Sequence, residues 1–125
     1  MRIHHVAIQV HDLAVVTDFY ARVLGLAVLG RPREGAVWLA LGDGAVLMLE
    51  QGAEPPIAAP FRIDRAGLHL LALVIAPEER GAWESRFATE GVEVVARTEY
   101  TLYVRDPEGN RVGLSTLDVT RFPLA

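Results

Sequence analysis

The sequence predicts an α+β fold: two tandem βαβββ units forming a curved mixed sheet with a concave cleft, with the helices on the outer face. Three observations carry this expectation. Two stretches of similar length run through the same order of alternating apolar strand, helical periodicity and hairpin. Each helical stretch stops at a glycine, Gly25 in the first half and Gly91 in the second. A turn, Gly42-Asp43-Gly44 and then Asp106-Pro107-Glu108-Gly109-Asn110, occupies the same place in each half. The expected organisation is one domain over residues 1–125, with repeat one at about 1–51, a linker at 52–66, repeat two at about 67–115 and a tail at 116–125.

From Ile3 to Val10 the side chains alternate, with Val6, Ile8 and Val10 apolar on one face and His5, Ala7 and Gln9 on the other. Asp12 can cap a helix whose apolar positions Val16, Phe19, Tyr20, Val23 and Leu24 follow the helical period. An extended segment around Leu26 to Arg31 follows, then strands at Val37 to Leu41 and Ala45 to Gln51. The linker contains Pro55, Pro56 and Pro60, with charge on both sides of Ile63 and no sustained period. The second half repeats the pattern: a strand from Leu68 to Ile75, a helix opening near Pro77 with Trp83 and Phe87 inward, and strands at Val92 to Thr98, Thr101 to Arg105 and Asn110 to Ser115.

A chain of 125 residues can bury about two thirds of the surface its unfolded form exposes, enough for a real core. Half the residues are apolar, and 22% are charged, the balance of an ordinary globular protein. No cysteine is present, which excludes disulfides, thiolate metal sites and a cysteine nucleophile. A formal charge of −4 without a basic run offers no footprint for nucleic acid. The N-terminus Met-Arg-Ile-His-His enters a strand pattern without a signal-peptide core, and no stretch reaches membrane-span length. The expected address is the cytoplasm, with no membrane partner.

Strand alternation also assigns faces. Val6, Ile8, Leu39, Leu41, Leu47, Leu49, Leu71, Leu73, Leu102, Val104, Val112 and Leu114 belong beneath the helices. The concave face then receives His5, Gln9, Trp38, Met48, Glu50, Leu70, Tyr103, Arg105 and Gly113 as candidate ligand contacts, with Ala7, Ala40 and Ala72 leaving room. Aromatic and aliphatic surface with a few hydrogen-bonding groups is the character of a small-molecule pocket. The competing reading is that Trp38, Met48, Leu70 and Val74 close the cleft as core or dimer contact. His5 could be a general base beside a carboxylate such as Glu50, or simply a hydrogen-bonded strand histidine. Glu50 could be solvated at its strand end, and Arg105 could stabilise the adjoining turn. His4 and His11 read as structural or exposed.

The segments HHVAIQVHDL (4–13), FYARVLGL (19–26), GLHLLALVI (67–75) and LYVRDPEGNRVGL (102–114) resemble the vicinal oxygen chelate superfamily of glyoxalase I, bleomycin resistance proteins and extradiol dioxygenases. The resemblance implies a cleft in which four side chains, often two His or Gln and two Glu, hold a divalent metal. Carried onto this chain, the four positions are His5, Met48, Leu70 and Gly113. Leu and Gly offer no side-chain donor. The expectation is therefore a protein that binds a small organic ligand without a tightly held metal and forms a homodimer. An alternative is a lyase, isomerase or dioxygenase in which His5, Glu50 and His69, the last turned inward by a bulge, hold Zn, Ni, Fe or Mn. A third is a dimerisation module with a closed cleft.

Overall fold

A computed structural model describes residues 1–56 and 66–121. Most of the expected linker and residues 122–125 of the expected tail lie outside that range. The strands form two four-stranded mixed sheets, ordered β1-β4-β3-β2 and β5-β8-β7-β6, each containing a helical segment between its first and second strands in sequence. This is the α+β, tandem βαβββ arrangement read from the sequence. The chain clusters into two compact units, and Asp106–Asn110, although it joins two strands of the second sheet, packs as part of the first unit.

In the first unit β1 spans His5–Val10, α1 Leu13–Asp18, β2 Val28–Gly30, β3 Ala36–Gly42 and β4 Ala45–Gln51. The Asp12 carboxylate accepts from the Val15 amide at 3.1 Å and caps α1 as its position before the apolar run predicts. The helix then widens into a π turn over Phe19–Val23, closed by the Leu24 amide on the Phe19 carbonyl at 2.9 Å. Gly25 ends it at φ +77°, a backbone conformation that a side chain would strain. β1 runs parallel to β4, and β4 antiparallel to β3, so Val37, Leu39, Leu47 and Leu49 share one face and are fully buried. Helix α1 lies against β3 and β4 and adds Val16, with Phe19, Tyr20 and Val23 of the π turn completing the core. Each such side chain removed from water stabilises the fold by about 1.5 to 3 kcal/mol.

In the second unit β5 spans Leu71–Val74, α2 Arg80–Thr89, β6 Ala96–Arg97, β7 Thr101–Arg105 and β8 Arg111–Ser115. A single 3₁₀ turn at Pro77–Glu79 leads into α2, and the Glu79 carboxylate accepts from the Ala76 amide at 2.9 Å. Phe87 is fully buried, with the half-buried Trp83 ring 5.8 Å away. Leu102, Val104, Val112 and Leu114 are buried on the face the alternation predicts, whereas Val6, Ile8, Leu41, Leu71 and Leu73 are only partly covered.

The strands expected at 68–75 and 92–98 are cut to half their length or less, for identifiable reasons. The segment from Val92 begins as a helix end, its amide bonded to the Phe87 carbonyl at 2.8 Å, so the β6 ladder is confined to Ala96–Arg97. The segment from Leu68 does not pair until Leu71: Leu68 is exposed, and the His69 carbonyl accepts from the Arg111 guanidinium at 3.3 Å instead of joining a ladder. Among the described residues no helix is long and apolar enough to cross a membrane.

Candidate functional site

The face of each sheet opposite its buried residues carries the candidate ligand contacts. In the first unit the register sets three rows across β1, β4 and β3: His5, Val46 and Ala40; Ala7, Met48 and Trp38; Gln9, Glu50 and Ala36. His5, Ala7 and Gln9 are exposed, and Trp38, Met48 and Glu50 are half-buried. The Glu50 carboxylate has Gln9 Nε2 at 3.4 Å and Arg33 Nη2 at 3.5 Å on the same oxygen, both at the long end of their interactions. Arg33 was not legible as a partner, because it lies in the irregular stretch between β2 and β3, where no period relates it to β4. His5 finds its partner in His4, their Nδ1 atoms 2.8 Å apart, one donating and the other accepting.

In the second unit Ala72, Gly113, Tyr103 and Ala96 form one row, and Val74, Ser115 and Thr101 the next. Gly113 is buried even though its row is on the open face: a Cβ placed there would lie 3.2 Å from Thr101 Cγ2 and 3.6 Å from both Leu70 Cδ1 and Ala72 Cβ. Leu70 thus leans over the glycine. Tyr103 and Arg105 are half-buried, and Val74 is 86% exposed. His69 is exposed just before β5, its Nδ1 3.2 Å from Arg111 Nη1.

The side chains at the four positions carried over from the resemblance do not make a donor set for a divalent metal. His5 and Met48 provide one imidazole and one thioether, while Leu70 and Gly113 provide no side-chain donor. The alternative through Glu50 meets a register problem: His5 pairs with Val46, so Glu50 stands four residues further along the adjacent strand. At about 3.3 Å per residue that is roughly 13 Å, too far for parallel side chains to share an ion held at about 2 Å from each. His69, the third member, has a cationic neighbour in Arg111. Among the described residues no group of three or more His, Asp or Glu side chains is gathered for a metal.

A second polar cluster, missed in the sequence, lies behind the first unit's face. Tyr20 is fully buried and its hydroxyl donates to Asp106 Oδ2 at 2.9 Å; burial, the Asp106 charge and this bond hold the phenol well above its usual range. The Glu108 carboxylate accepts from the backbone amides of His11 at 2.7 and 3.0 Å and of Asp12 at 2.7 Å, at the entry to α1. The available signal was a tyrosine on the buried face of a helix, whose hydroxyl needs a partner.

Residues 2–114 match the family model of the Glyoxalase/Bleomycin resistance protein/Dioxygenase superfamily. No curated protein matches the chain. Among solved structures, a glyoxalase/dioxygenase from Nostoc punctiforme superposes with a TM-score of 0.76 at 22% identity, over 90% of this chain and 88% of that one. The fosfomycin resistance protein FosX from Mesorhizobium loti gives 0.73 at 15% identity, over 95% and 94%. A lactoylglutathione lyase from Agrobacterium tumefaciens gives 0.67 at 22%, over 91% and 92%. At these identities the likeness is one of fold.

Proposed function

The chain belongs to the glyoxalase/bleomycin resistance protein/dioxygenase superfamily, and on that premise we propose that it binds a small organic molecule on its open strand faces without a tightly held metal. The observation that carries this reading is the donor set: of the four positions implied by the resemblance, only His5 bears a nitrogen, and Gly113 lies under Leu70. The half-buried Trp38, Met48 and Tyr103 supply apolar contact area, and Gln9, Glu50 and Arg105 supply polar groups for orientation. The protein acts in the cytoplasm on this reading.

Elemental analysis of protein purified without chelators or a metal-affinity tag is expected to find well under one divalent metal per chain. About one zinc, nickel, iron or manganese per chain, lost in His5→Ala, would transfer the case to a metal-dependent lyase, isomerase or dioxygenase. With a ligand found by thermal-shift screening, truncating the aromatic of the face that binds it, Trp38→Ala in the first unit or Tyr103→Ala in the second, is expected to weaken binding by about 1 to 3 kcal/mol. Val104→Ala, on the buried face, should lower stability and leave affinity nearly unchanged.

We also propose a homodimer, since β1 and β5 are sheet-edge strands in the described pairing and unpaired edges need cover. Light scattering should give twice the 13.7 kDa chain mass; a species of single-chain mass at micromolar concentration would refute the dimer.

A further inference from the structure

We propose that the open face of the first unit recognises an aromatic cation, a planar ring carrying an ammonium or amidinium group, with the ring over Ala7 and Met48 against Trp38 and the cation at Glu50. This deepens the small-molecule reading and rests on it. The register provides the complementarity. Ala7, Met48 and Trp38 form one row, and Gln9, Glu50 and Ala36 form the next, two residues further along β1 and β4. Rows so related are about 7 Å apart, a span that an aromatic ring, an amine on a two-carbon arm and its hydrogen bond to the carboxylate cover together. Ala7, exposed in its row, stands where a larger side chain would fill the shelf, and the Met48 thioether is a polarisable surface for a ring face. Trp38 offers both stacking area and a π-face toward positive charge.

The sign of the charge follows from which member of the Glu50–Arg33 pair is better shielded. The Glu50 side chain is 28% exposed and the Arg33 side chain 61%. Water screens the guanidinium more than the carboxylate, so Glu50 dominates the potential over the shelf. Arg33 comes no nearer to the carboxylate than 3.5 Å, and Gln9 Nε2 approaches that same oxygen at 3.4 Å. Both are weaker than the short, two-pronged geometry that would saturate a carboxylate. An incoming ammonium can therefore make a shorter charge-assisted bond than either. The chain's formal charge of −4 works in the same direction.

Three probes with one ring system test this by calorimetry on the full chain: tryptamine as the cation, N-acetyltryptamine as the neutral form and indole-3-propionate as the anion. Tryptamine is expected to bind at least about tenfold more tightly than either, with the advantage shrinking as salt rises. Glu50→Gln should remove that advantage, and Arg33→Ala should strengthen tryptamine binding by about two- to fivefold by freeing the carboxylate. Trp38→Ala should weaken all three probes; Ala7→Leu, which fills the shelf without opening a cavity, tests the same point if the tryptophan variant folds poorly. Binding of indole-3-propionate as tightly as tryptamine, or tryptamine affinity unchanged in Glu50→Gln, overturns the cation assignment. If Trp38→Ala or Ala7→Leu still weakens binding in that case, the small-molecule reading of the face survives. Tryptamine bound equally by Trp38→Ala and Ala7→Leu overturns both, and no binding of tryptamine at millimolar concentration overturns the inference.

Discussion

Asp106→Ala is expected to cost about 3 to 5 kcal/mol of folding stability, far more than an ordinary turn substitution. Asp106 is 4% exposed, and its two carboxylate oxygens accept four hydrogen bonds. Oδ1 takes the amides of Glu108 and Asn110, each at 2.9 Å; Oδ2 takes the Asn110 side-chain amide at 2.8 Å and the Tyr20 hydroxyl at 2.9 Å. Alanine leaves the buried phenol without an acceptor and releases the turn that aims Glu108 at the α1 entry, so several donors lose partners together. Tyr20→Phe removes a single bond and should cost about 1 kcal/mol. The two variants should also differ from the parent in alkali. The fold raises the Tyr20 phenol above its unfolded value of 10.0, so this contribution is intact below pH 10 and falls as pH rises above it. Urea unfolding at neutral pH and again between about pH 9 and 11 measures both effects. An Asp106→Ala loss below about 1 kcal/mol, or an alkaline decline unchanged in Tyr20→Phe, would show that the cluster is not a determinant of stability.

What could be read from the sequence is what a period of two determines. Alternation along 45–51 and 101–105, with a glycine-bearing turn after or before each, led to strands β4 and β7 at their observed limits and to the correct buried face. The equivalence of Met48 and Gly113 was legible for the same reason. Met48 pairs with Ala7 three residues before the partner of Val10, and Gly113 pairs with Ala72 three residues before the position opposite Ile75. Interactions between residues far apart in sequence were not legible. The Glu108 bond to the amides of His11 and Asp12 joins parts of the chain almost a hundred residues apart, and Arg33 reaches Glu50 from an aperiodic loop. The π turn at Phe19–Val23 was also hidden, because five residues of apolar helix look alike whether their bonds span four positions or five. At the site, alternation placed His5 and Glu50 on one face but said nothing of their offset along it. The parallel register of β1 on β4 gives that offset and argues against a shared ion.

Gly113→Glu, which would restore a carboxylate at the position where the family resemblance expects one, should destabilise the protein by about 3 kcal/mol or more. The first methylene already meets Thr101 Cγ2 at 3.2 Å, with Leu70 Cδ1 and Ala72 Cβ at 3.6 Å. The rest of the side chain must then displace Leu70 or carry its charge into the apolar contacts that Leu70 makes over the strand. The Thr101 hydroxyl cannot readily compensate, since it donates to Ser115 Oγ at 2.9 Å. Gly113→Ala separates packing from charge. It adds only the Cβ, at a position whose backbone φ lies outside the left-handed region, so a shift of a few tenths of an ångström by the Thr101 methyl should suffice. Its expected cost is about 1 kcal/mol. Combining Gly113→Glu with Leu70→Ala should recover part of the loss, because it clears the carbon that leans over the glycine, although it adds the cost of truncating a half-buried leucine. Denaturant midpoints of the four proteins, parent included, measure the series. Equal stability of the alanine and glutamate variants would mean that Leu70 does not seal this position, and the open face of the second unit would then have room for a side-chain ligand at Gly113 after all.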